Sequence, residues 1–255
     1  PNPNITWETS EMFNIGIDAS FFNGKLNLEA DWFYKKTNDI LRERTDMPAI
    51  LGYKLPAANV GKVDNRGIDL NITHRNHLRD FNYSIAGNLT WARNKVIDLL
   101  EPAGEKNNPR QRSTGHSMSQ YFGYEALGLF QSDEEANNWP QPQFGKAKAG
   151  DIKYKDQNGD GIIDAEDEIA IGRSNYPELV YGLNLNAEWK GFDITFFFQG
   201  AALADFYYNG YLAFPYIEGR GGALLEHHIG NTWTPENPKA EFPRLYYGGN
   251  ANNQL

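Results

Sequence analysis

The segment from Tyr181 to Gly200 alternates apolar and polar residues along two arms that are joined by Lys190-Gly191. Alternation with a period of two places successive side chains on opposite faces of a β-strand. A Lys-Gly pair suits a two-residue hairpin loop, which would set Trp189 opposite Phe192. A slip of one residue would carry the apolar row onto the polar face, so the register is well specified. The segment predicts a hairpin with two unlike faces, and each arm is long enough to cross a bilayer as a tilted strand.

Two further hairpins follow the same pattern. The first runs from Phe13 to Tyr34 around Asn23-Gly24, which is a strong hairpin signal, and we expect its strand to begin at Met12. The second has arms at Gly67–His74 and Phe81–Trp91, joined by an even-length turn from Arg75 to Asp80. In each hairpin the apolar residues of both arms fall on one face.

Long connections separate the hairpins, whereas the turns inside them are short. The connections are predicted at Lys35–Arg66, Ala92–Pro177 and Ala201–Leu255. Short turns at one end of the strands and long loops at the other are typical of outer-membrane β-barrels. In that arrangement the rows with Ile15, Ile68 and Leu185 face lipid. The polar residues between them face the lumen, and these are Asn14, Asp18, Asn184, Asn186 and Glu188.

Composition excludes several other classes of protein. The net charge of -9 argues against nucleic acid as a partner, because phosphate binding requires a concentrated positive surface. The chain has no cysteine and therefore no disulfide framework. Apolar runs of about eighteen residues, the mark of membrane helices, are missing from the sequence. An all-β fold in which strands cross the membrane is compatible with all three observations.

A soluble β-sandwich is the alternative fold, since it would also produce alternating strands around an apolar core. In that case the chain would be a secreted carbohydrate-binding module with a structural calcium ion. The predicted strands are longer than the usual five or six residues, which favours the membrane barrel. The polar rows are also rich in uncharged Asn, Gly, Ser and Thr. About six strands do not close a membrane barrel, so the barrel interpretation makes this chain part of a larger one.

An acidic segment, DQNGDGIIDAED, fits the spacing of a calcium-binding loop. Its glycine at position six would allow the sharp turn, and an aspartate at position twelve replaces the usual glutamate. A solvated acidic turn that binds nothing is the other interpretation. The six predicted ligands are Asp156, Asn158, Asp160, Ile162 through its carbonyl, Asp164 and Asp167.

Several aromatic residues lie in the predicted loops, where they could stack on sugars or peptides or could pack the loops together. They are Tyr121, Tyr124, Trp139, Tyr207, Tyr208 and Tyr211. The neighbours His227 and His228 would point to opposite sides of a strand and would not share a metal ion. The sequence contains no pattern typical of a nucleophile or an acid–base pair, and we expect no enzyme activity.

Four long stretches carry a resemblance to one family, the SusC/RagA-type TonB-dependent outer-membrane transporters. Residues 7–41 read WETSEMFNIGIDASFFNGKLNLEADWFYKKTNDIL, and residues 59–70 read NVGKVDNRGIDL. Residues 150–200 include GDIKYKDQNGDGIIDAEDEIAIG, and residues 231–245 read NTWTPENPKAEFPRL. Together these stretches cover nearly the whole chain in the order that the family has them.

The resemblance implies a 22-stranded barrel in the Gram-negative outer membrane, with an N-terminal plug domain and a TonB box. It also implies a SusD-like surface lipoprotein as a lid, and import of glycan or peptide driven by TonB. Residues 1–255 would then be a late-middle section of the barrel, without the plug, the TonB box or the final strands. The lipid of the outer membrane is the remaining expected partner.

Overall fold

The computed structural model describes residues 2–44, 56–101, 108, 112–208, 213, 224–245 and 251–253. The chain divides into two compact units. The first falls within residues 1–107, 112–120 and 173–205, and the second within residues 108–111, 121–172 and 206–255.

The first unit is a six-stranded antiparallel sheet in which neighbours along the chain are also neighbours in space. The strand order is β1-β2-β3-β4-β11-β12. The strands are β1 (Thr9–Phe21), β2 (Leu26–Arg42), β3 (Ala58–Leu78), β4 (Phe81–Asp98), β11 (Leu179–Trp189) and β12 (Phe192–Ala202). This arrangement is a partial, unclosed antiparallel β-barrel, which confirms the predicted fold class.

The registers of the two tight hairpins are as predicted. Phe21 pairs with Leu26 in the first hairpin, and Trp189 pairs with Phe192 in the third. Lys190 and Gly191 have φ angles of 49° and 85°, the left-handed values that a type I′ turn requires at both central positions. Glycine adopts such angles without strain, which is why the Lys-Gly signal located this turn.

Several predicted boundaries were wrong because the strands continue beyond their apolar stretches. The turn of the second hairpin is only Arg79-Asp80, since pairing continues to Leu78 and Phe81. The first connection spans residues 43–57 instead of 35–66, and β4 extends past Trp91 to Asp98. The first strand begins at Thr9, three residues earlier than predicted. The extensions carry polar residues on both faces, so they show no alternation to detect.

The sheet presents two chemically different faces. We call the face with Ile15, Ile68, Ile85 and Leu185 the apolar face, and the opposite one the polar face. Large side chains of the apolar face are exposed, with Ile15 at 61% and Phe196 at 49%. In a β-sandwich this face would be buried under a second sheet. Phe197 is the aromatic exception on the polar face, as the sequence indicated.

The second unit consists of short elements instead of the featureless connection expected at Ala92–Pro177. Its strands form three two-stranded sheets, which pair β5 with β10, β6 with β8 and β7 with β9. No helix among the described residues is long and apolar enough to cross a membrane. The strands are β5 (Tyr121–Gly123), β6 (Ala126–Leu129), β7 (Gln141–Pro142), β8 (Ile152–Tyr154), β9 (Ile162–Ile163) and β10 (Ile169–Ile171). The helices are α1 (Asp133–Asn138) and 3-10 turns at Ala165–Asp167, Glu226–His228 and Ala251–Asn253.

Candidate functional site

The polar face of the sheet is a continuous array of amides, hydroxyls and carboxylates. Thr90 Oγ1 donates to Asp69 Oδ1 at 2.6 Å, and Thr195 Oγ1 donates to Asn186 Oδ1 at 2.8 Å. Asn82 Nδ2 donates to Glu188 Oε2 across the β4–β11 pair at 3.3 Å. These bonds hold the polar side chains along the sheet surface and leave it hydrophilic.

Carboxylates dominate the charge of this face. Three carboxylate pairs lie directly opposite each other on neighbouring strands. Like charges in that position repel, so they need water or cationic groups nearby. The face is therefore suited to contact with a hydrated or positively charged surface. The pairs are Asp18 with Glu29, Asp31 with Asp69, and Glu188 with Asp193.

The second unit has a small apolar core. Phe130, Ala136 and Ala147 are buried together, and Trp139 packs against them. The indole Nε1 of Trp139 donates to the carbonyl of Tyr154 at 2.7 Å, and the Lys153 ammonium lies 5.1 Å from the centre of the indole ring. Trp139, a candidate for ligand stacking, is thus committed to the packing of this unit.

Tyr124 also packs within the unit. Its ring centroid lies 5.6 Å from that of Phe144 and 5.4 Å from that of Tyr154. Burial and the nearby Glu168 carboxylate raise the pKa of Tyr124 to about 12. Burial likewise raises the pKa of Tyr154, whose hydroxyl donates to the carbonyl of Asn252 at 2.9 Å.

The remaining aromatic candidates are more accessible. Tyr121 stacks on Tyr207 with ring centroids 5.7 Å apart, and Tyr207 stays 44% exposed. The Tyr208 hydroxyl lies 3.1 Å from Nε2 of His227. Tyr211 lies outside the described residues. Substrate contact by these residues stays a prediction, with Tyr207 and Tyr208 the best placed because they are exposed.

A buried polar clamp joins segments that are far apart in sequence. Asp151 is fully buried, and its carboxylate lies 2.8 Å from Nε of Arg244. The same carboxylate accepts bonds from Nδ2 of Asn253 and from the main-chain N–H of Lys148, both at 2.9 Å. Sequence reasoning missed this clamp, because a lone Asp and a lone Arg some ninety residues apart give no local signal.

The acidic loop is organised by its own backbone. Asp156 accepts bonds from the N–H groups of Gly159 and Gly161, which lowers the pKa of its carboxyl group. Asp167 is fully buried and accepts from the N–H groups of Gln157 at 2.7 Å and Asp164 at 3.0 Å. The loop therefore has an internal hydrogen-bonded frame.

The other predicted ligands lie on the outer side of the same loop. The amide oxygen of Asn158 accepts from the N–H of Asp160, and Asp160 Oδ1 accepts from the N–H of Ile162 at 2.8 Å. Asp164 Oδ1 accepts from the N–H of Glu166 at 2.9 Å. Within the described part of the chain, no group of three or more His, Cys, Asp or Glu side chains is arranged to hold a metal ion. Calcium binding stays a prediction.

His227 and His228 belong to a short 3-10 helix and not to a strand, so the prediction that they point apart was wrong. Their ring centroids are only 4.0 Å apart. His228 is buried, and the edge of its ring meets Phe242 at 4.7 Å. The pair contributes to packing near the late segment of the unit.

Comparison with known proteins identifies the fold. A family model described as TonB dependent receptor-like, beta-barrel, matches residues 1–254. The chain belongs to this family of TonB-dependent receptors. Its resemblance to the SusC/RagA-type receptors is thereby confirmed, and the secreted β-sandwich is not favoured.

Relatives of this receptor chain include TonB-dependent receptor P26 of Formosa agariphila, which is 34% identical over 98% of the chain. TonB-dependent receptor SusC of Bacteroides thetaiotaomicron is 25% identical over 83% of the chain. The structure of the RagAB peptide transporter superposes with a TM-score of 0.72 over 96% of the chain, at 23% identity and over 26% of the length of that chain. The receptor chain spans about a quarter of the length of the curated relatives, 25% of P26 and 21% of SusC.

Proposed function

We propose that this chain forms part of the wall of a SusC/RagA-type importer in the outer membrane. The importer would take up glycan or peptide, would be energised through TonB, and would work with a SusD-like surface lipoprotein as a lid. The observation that carries the proposal is the six-stranded sheet with one exposed apolar face and one hydrogen-bonded polar face. A lipid-facing exterior and a hydrated interior account for both faces at once.

The dimensions of the apolar face support this placement. On β4 the apolar row runs from Phe81 to Trp91. Ten residues at about 3.3 Å each span about 33 Å along a strand, and a tilt of about 40° reduces this to a height of about 25 Å. That height matches the apolar band of outer-membrane barrels, which is about 25 Å.

The polar face would line the route of the solute. Its amides, hydroxyls and opposed carboxylates would contact a hydrated cargo or the protein surface that fills the lumen. Both glycans and peptides are hydrogen-bonding solutes, and the relatives named SusC and RagAB peptide transporter are the grounds for naming these two classes. Coupling to TonB and the lipoprotein lid are proposed from the family alone.

We also propose an orientation. The tight turns at Asn23-Gly24, Arg79-Asp80 and Lys190-Gly191 would face the periplasm. The longer segments within residues 43–57, 99–178 and 203–255 would face the outside, where the lid would contact them. Because outer-membrane barrels have short periplasmic turns and long external loops, this is the expected direction.

The acidic loop at Asp156–Asp167 is a candidate for a structural calcium ion. Each carboxylate oxygen has two lone pairs, so a side chain that accepts a backbone N–H can also bind a cation. Asp156, Asn158 and Asp160 present such oxygens within one turn, which fits calcium's preference for several oxygen ligands. The ion would act as a clip on the loop and would have no catalytic part.

Uptake by intact cells tests the proposed function. A strain that lacks the receptor would be complemented with the intact protein and supplied with labelled oligosaccharides or labelled peptides. We expect uptake of one class, abolished by deletion of TonB and strongly reduced without the lipoprotein. Uptake of neither class, or uptake independent of TonB, would contradict the proposal.

Surface labelling tests the orientation. The chain has no cysteine, so single cysteines can be placed at Glu134 in α1 and at Lys25 beside the first turn. We expect a membrane-impermeant maleimide to label Glu134→Cys on intact cells and Lys25→Cys only after permeabilisation. The reverse result would turn the sheet over.

A further inference from the structure

The apolar face ends in a straight row of residues at the end of the sheet away from the tight turns. Trp32 pairs with Ile68, and Ile68 pairs with Trp91. Ile15 on β1 and Leu179 on β11 continue the row on either side. Aromatic residues at the border of an apolar band are typical of the membrane–water interface.

The next two rows on the same face are basic. The first pairs Tyr34 with Arg66 and Arg66 with Arg93. The second pairs Lys36 with Asp64 and Asp64 with Lys95, and Glu11 lies beside Lys36. Because side chains alternate between faces, these residues lie directly beyond Trp32, Ile68 and Trp91. We call Lys36, Arg66, Arg93 and Lys95 the basic patch, and all four are exposed.

The charges of the basic patch are only partly compensated within the chain. Arg93 Nε lies 3.1 Å from Glu178, which also lies 3.6 Å from Arg173. Asp64 accepts the hydroxyl of Tyr34, and the Lys36 ammonium lies over the Tyr34 ring at 5.5 Å. Within the parts of the chain that the structure describes, Arg66 and Lys95 form no ion pair.

The direct pairing of Arg66 with Arg93 is unfavourable on its own, since like charges on facing strand positions repel. An anion bound between them would remove that penalty. The patch borders a cavity of about 340 Å³, which is lined by Tyr34, Asp64, Arg66, Arg93, Lys95 and His116, among others. This volume is within the range of sites that hold small ligands or head groups.

We propose that the basic patch binds the phosphate groups of lipopolysaccharide in the outer leaflet. The inference rests on the proposed function, because it requires the apolar face to contact the outer membrane with the tight turns in the periplasm. The patch then lies just above the apolar band, at the height of the lipid head groups. Arginine forms bidentate bonds with phosphate, and clustered basic residues beside a membrane-spanning segment attract anionic lipids.

The test compares two double variants of the intact receptor in detergent. Arg66→Gln with Lys95→Gln removes the two cations without ion pairs from the patch. Arg79→Gln with Lys190→Gln makes the same change of charge at the turn end of the sheet. The probe is purified bisphosphorylated lipid A, and binding is measured by native mass spectrometry and by competition with a fluorescent lipid A.

We expect the patch variant to bind lipid A about 10- to 30-fold more weakly and the turn variant to bind it as the unchanged receptor does. Dephosphorylated lipid A should show the same loss with the unchanged receptor. Equal binding by both double variants would overturn the proposal. So would equal affinity for dephosphorylated lipid A, for phosphatidylglycerol or for inorganic phosphate alone, since each would mean that lipopolysaccharide phosphates are not what the patch selects.

Two further measurements separate other causes. The conservative swap Arg66→Lys with Lys95→Arg should retain binding, whereas a patch that is only structural would not distinguish this swap from the glutamine pair. Heat-dependent mobility in electrophoresis reports whether each variant is folded. Labelling at Glu134→Cys and Lys25→Cys tests the orientation, so a failure of the proposed function is recognised independently of lipid A binding.

Discussion

Phe33 lies directly opposite Gly67 in the pairing of β2 with β3, and its ring covers the glycine on the polar face. A Cβ atom on Gly67 would stand 2.4 Å from Cζ of Phe33 and 2.5 Å from the carbonyl oxygen of Trp91. The ring can rotate away, but the carbonyl belongs to the paired backbone of β4. The second contact can therefore be relieved only by moving the strand.

Gly67→Ala should consequently destabilise the sheet by about 1–3 kcal/mol, the usual cost of forcing extra volume into a packed position. Gly87→Ala is the matched control, because the nearest atom to its Cβ would be the carbonyl oxygen of Gly182 at 3.9 Å. The control should change stability by less than about 1 kcal/mol. Unfolding of the intact receptor in urea measures both, and equal midpoints for the two variants would contradict the steric argument.

A pair of adjacent residues on β11 tests which face meets lipid. Leu185 pairs with Ile85 and Phe196 on the apolar face, whereas Asn186 pairs with Ser84 and Thr195 on the polar face. Leu185→Arg should cost about 2–4 kcal/mol near the middle of the membrane. Asn186→Arg should cost much less because its side chain meets water. Folding titrations into lipid vesicles measure the two costs, and equal values would exclude the assignment of faces.

The sequence predicted the central part of each hairpin well. Asn23-Gly24 and Lys190-Gly191 each specify a turn, and the apolar rows beside them tolerate only one register. It failed where both faces of a strand become polar. Residues 35–42 and 58–66 are paired strand in the structure, yet their charged residues on both faces gave no period of two.

The second unit was beyond the reach of sequence patterns for a different reason. Its strands have two to four residues, too few to show any periodicity. Its stability depends on contacts such as Asp151 with Asn253, which are separated by 102 residues. The acidic loop was located by its spacing, but the role of Asp167 as an acceptor for the loop backbone follows only from coordinates.

The clamp at Asp151 should be critical for the second unit. Asp151→Ala leaves Arg244 and the Lys148 N–H without their acceptor, and we expect a loss of about 2–4 kcal/mol in the stability of the unit. The exposed ion pair of Lys155 with Glu125 is the control, and Lys155→Gln should cost at most about 1 kcal/mol. Limited proteolysis on intact cells reports the difference. Equal cleavage rates would show that the clamp does not hold the unit together.

Acid should loosen the start of α1. The N–H of Gln131 donates to Glu135 at 2.7 Å and Lys153 pairs with the same carboxylate, which together hold the pKa of Glu135 below its ordinary value. A lowered pKa means that this stabilisation is present above about pH 4.5 and is lost as the pH falls through the folded-state value. Pepsin cleavage near residues 131–139 should rise over that range, and less steeply in Glu135→Gln. An equally steep rise in the variant would assign the effect to other groups.

Calcium should protect the loop at Asp156–Asp167. The carboxylates of Asp156 and Asp160 and the amide oxygen of Asn158 lie within five residues, so an ion would relieve the repulsion between the two carboxylates. We expect millimolar calcium to slow proteolysis at Gly159 and Gly161, with half-maximal effect at about 10⁻⁴–10⁻³ M, and magnesium to be less effective because it requires stricter geometry. Two variants separate the ion from the frame. Asp160→Asn should abolish the response to calcium and leave the loop folded, since its Oδ1 acceptor for Ile162 is retained. Asp167→Ala should expose the loop even with calcium, because the N–H groups of Gln157 and Asp164 lose their buried acceptor. Proteolysis that a chelator leaves unchanged in the intact receptor would reject calcium, and the frame around Asp167 would then be the only clip in the loop.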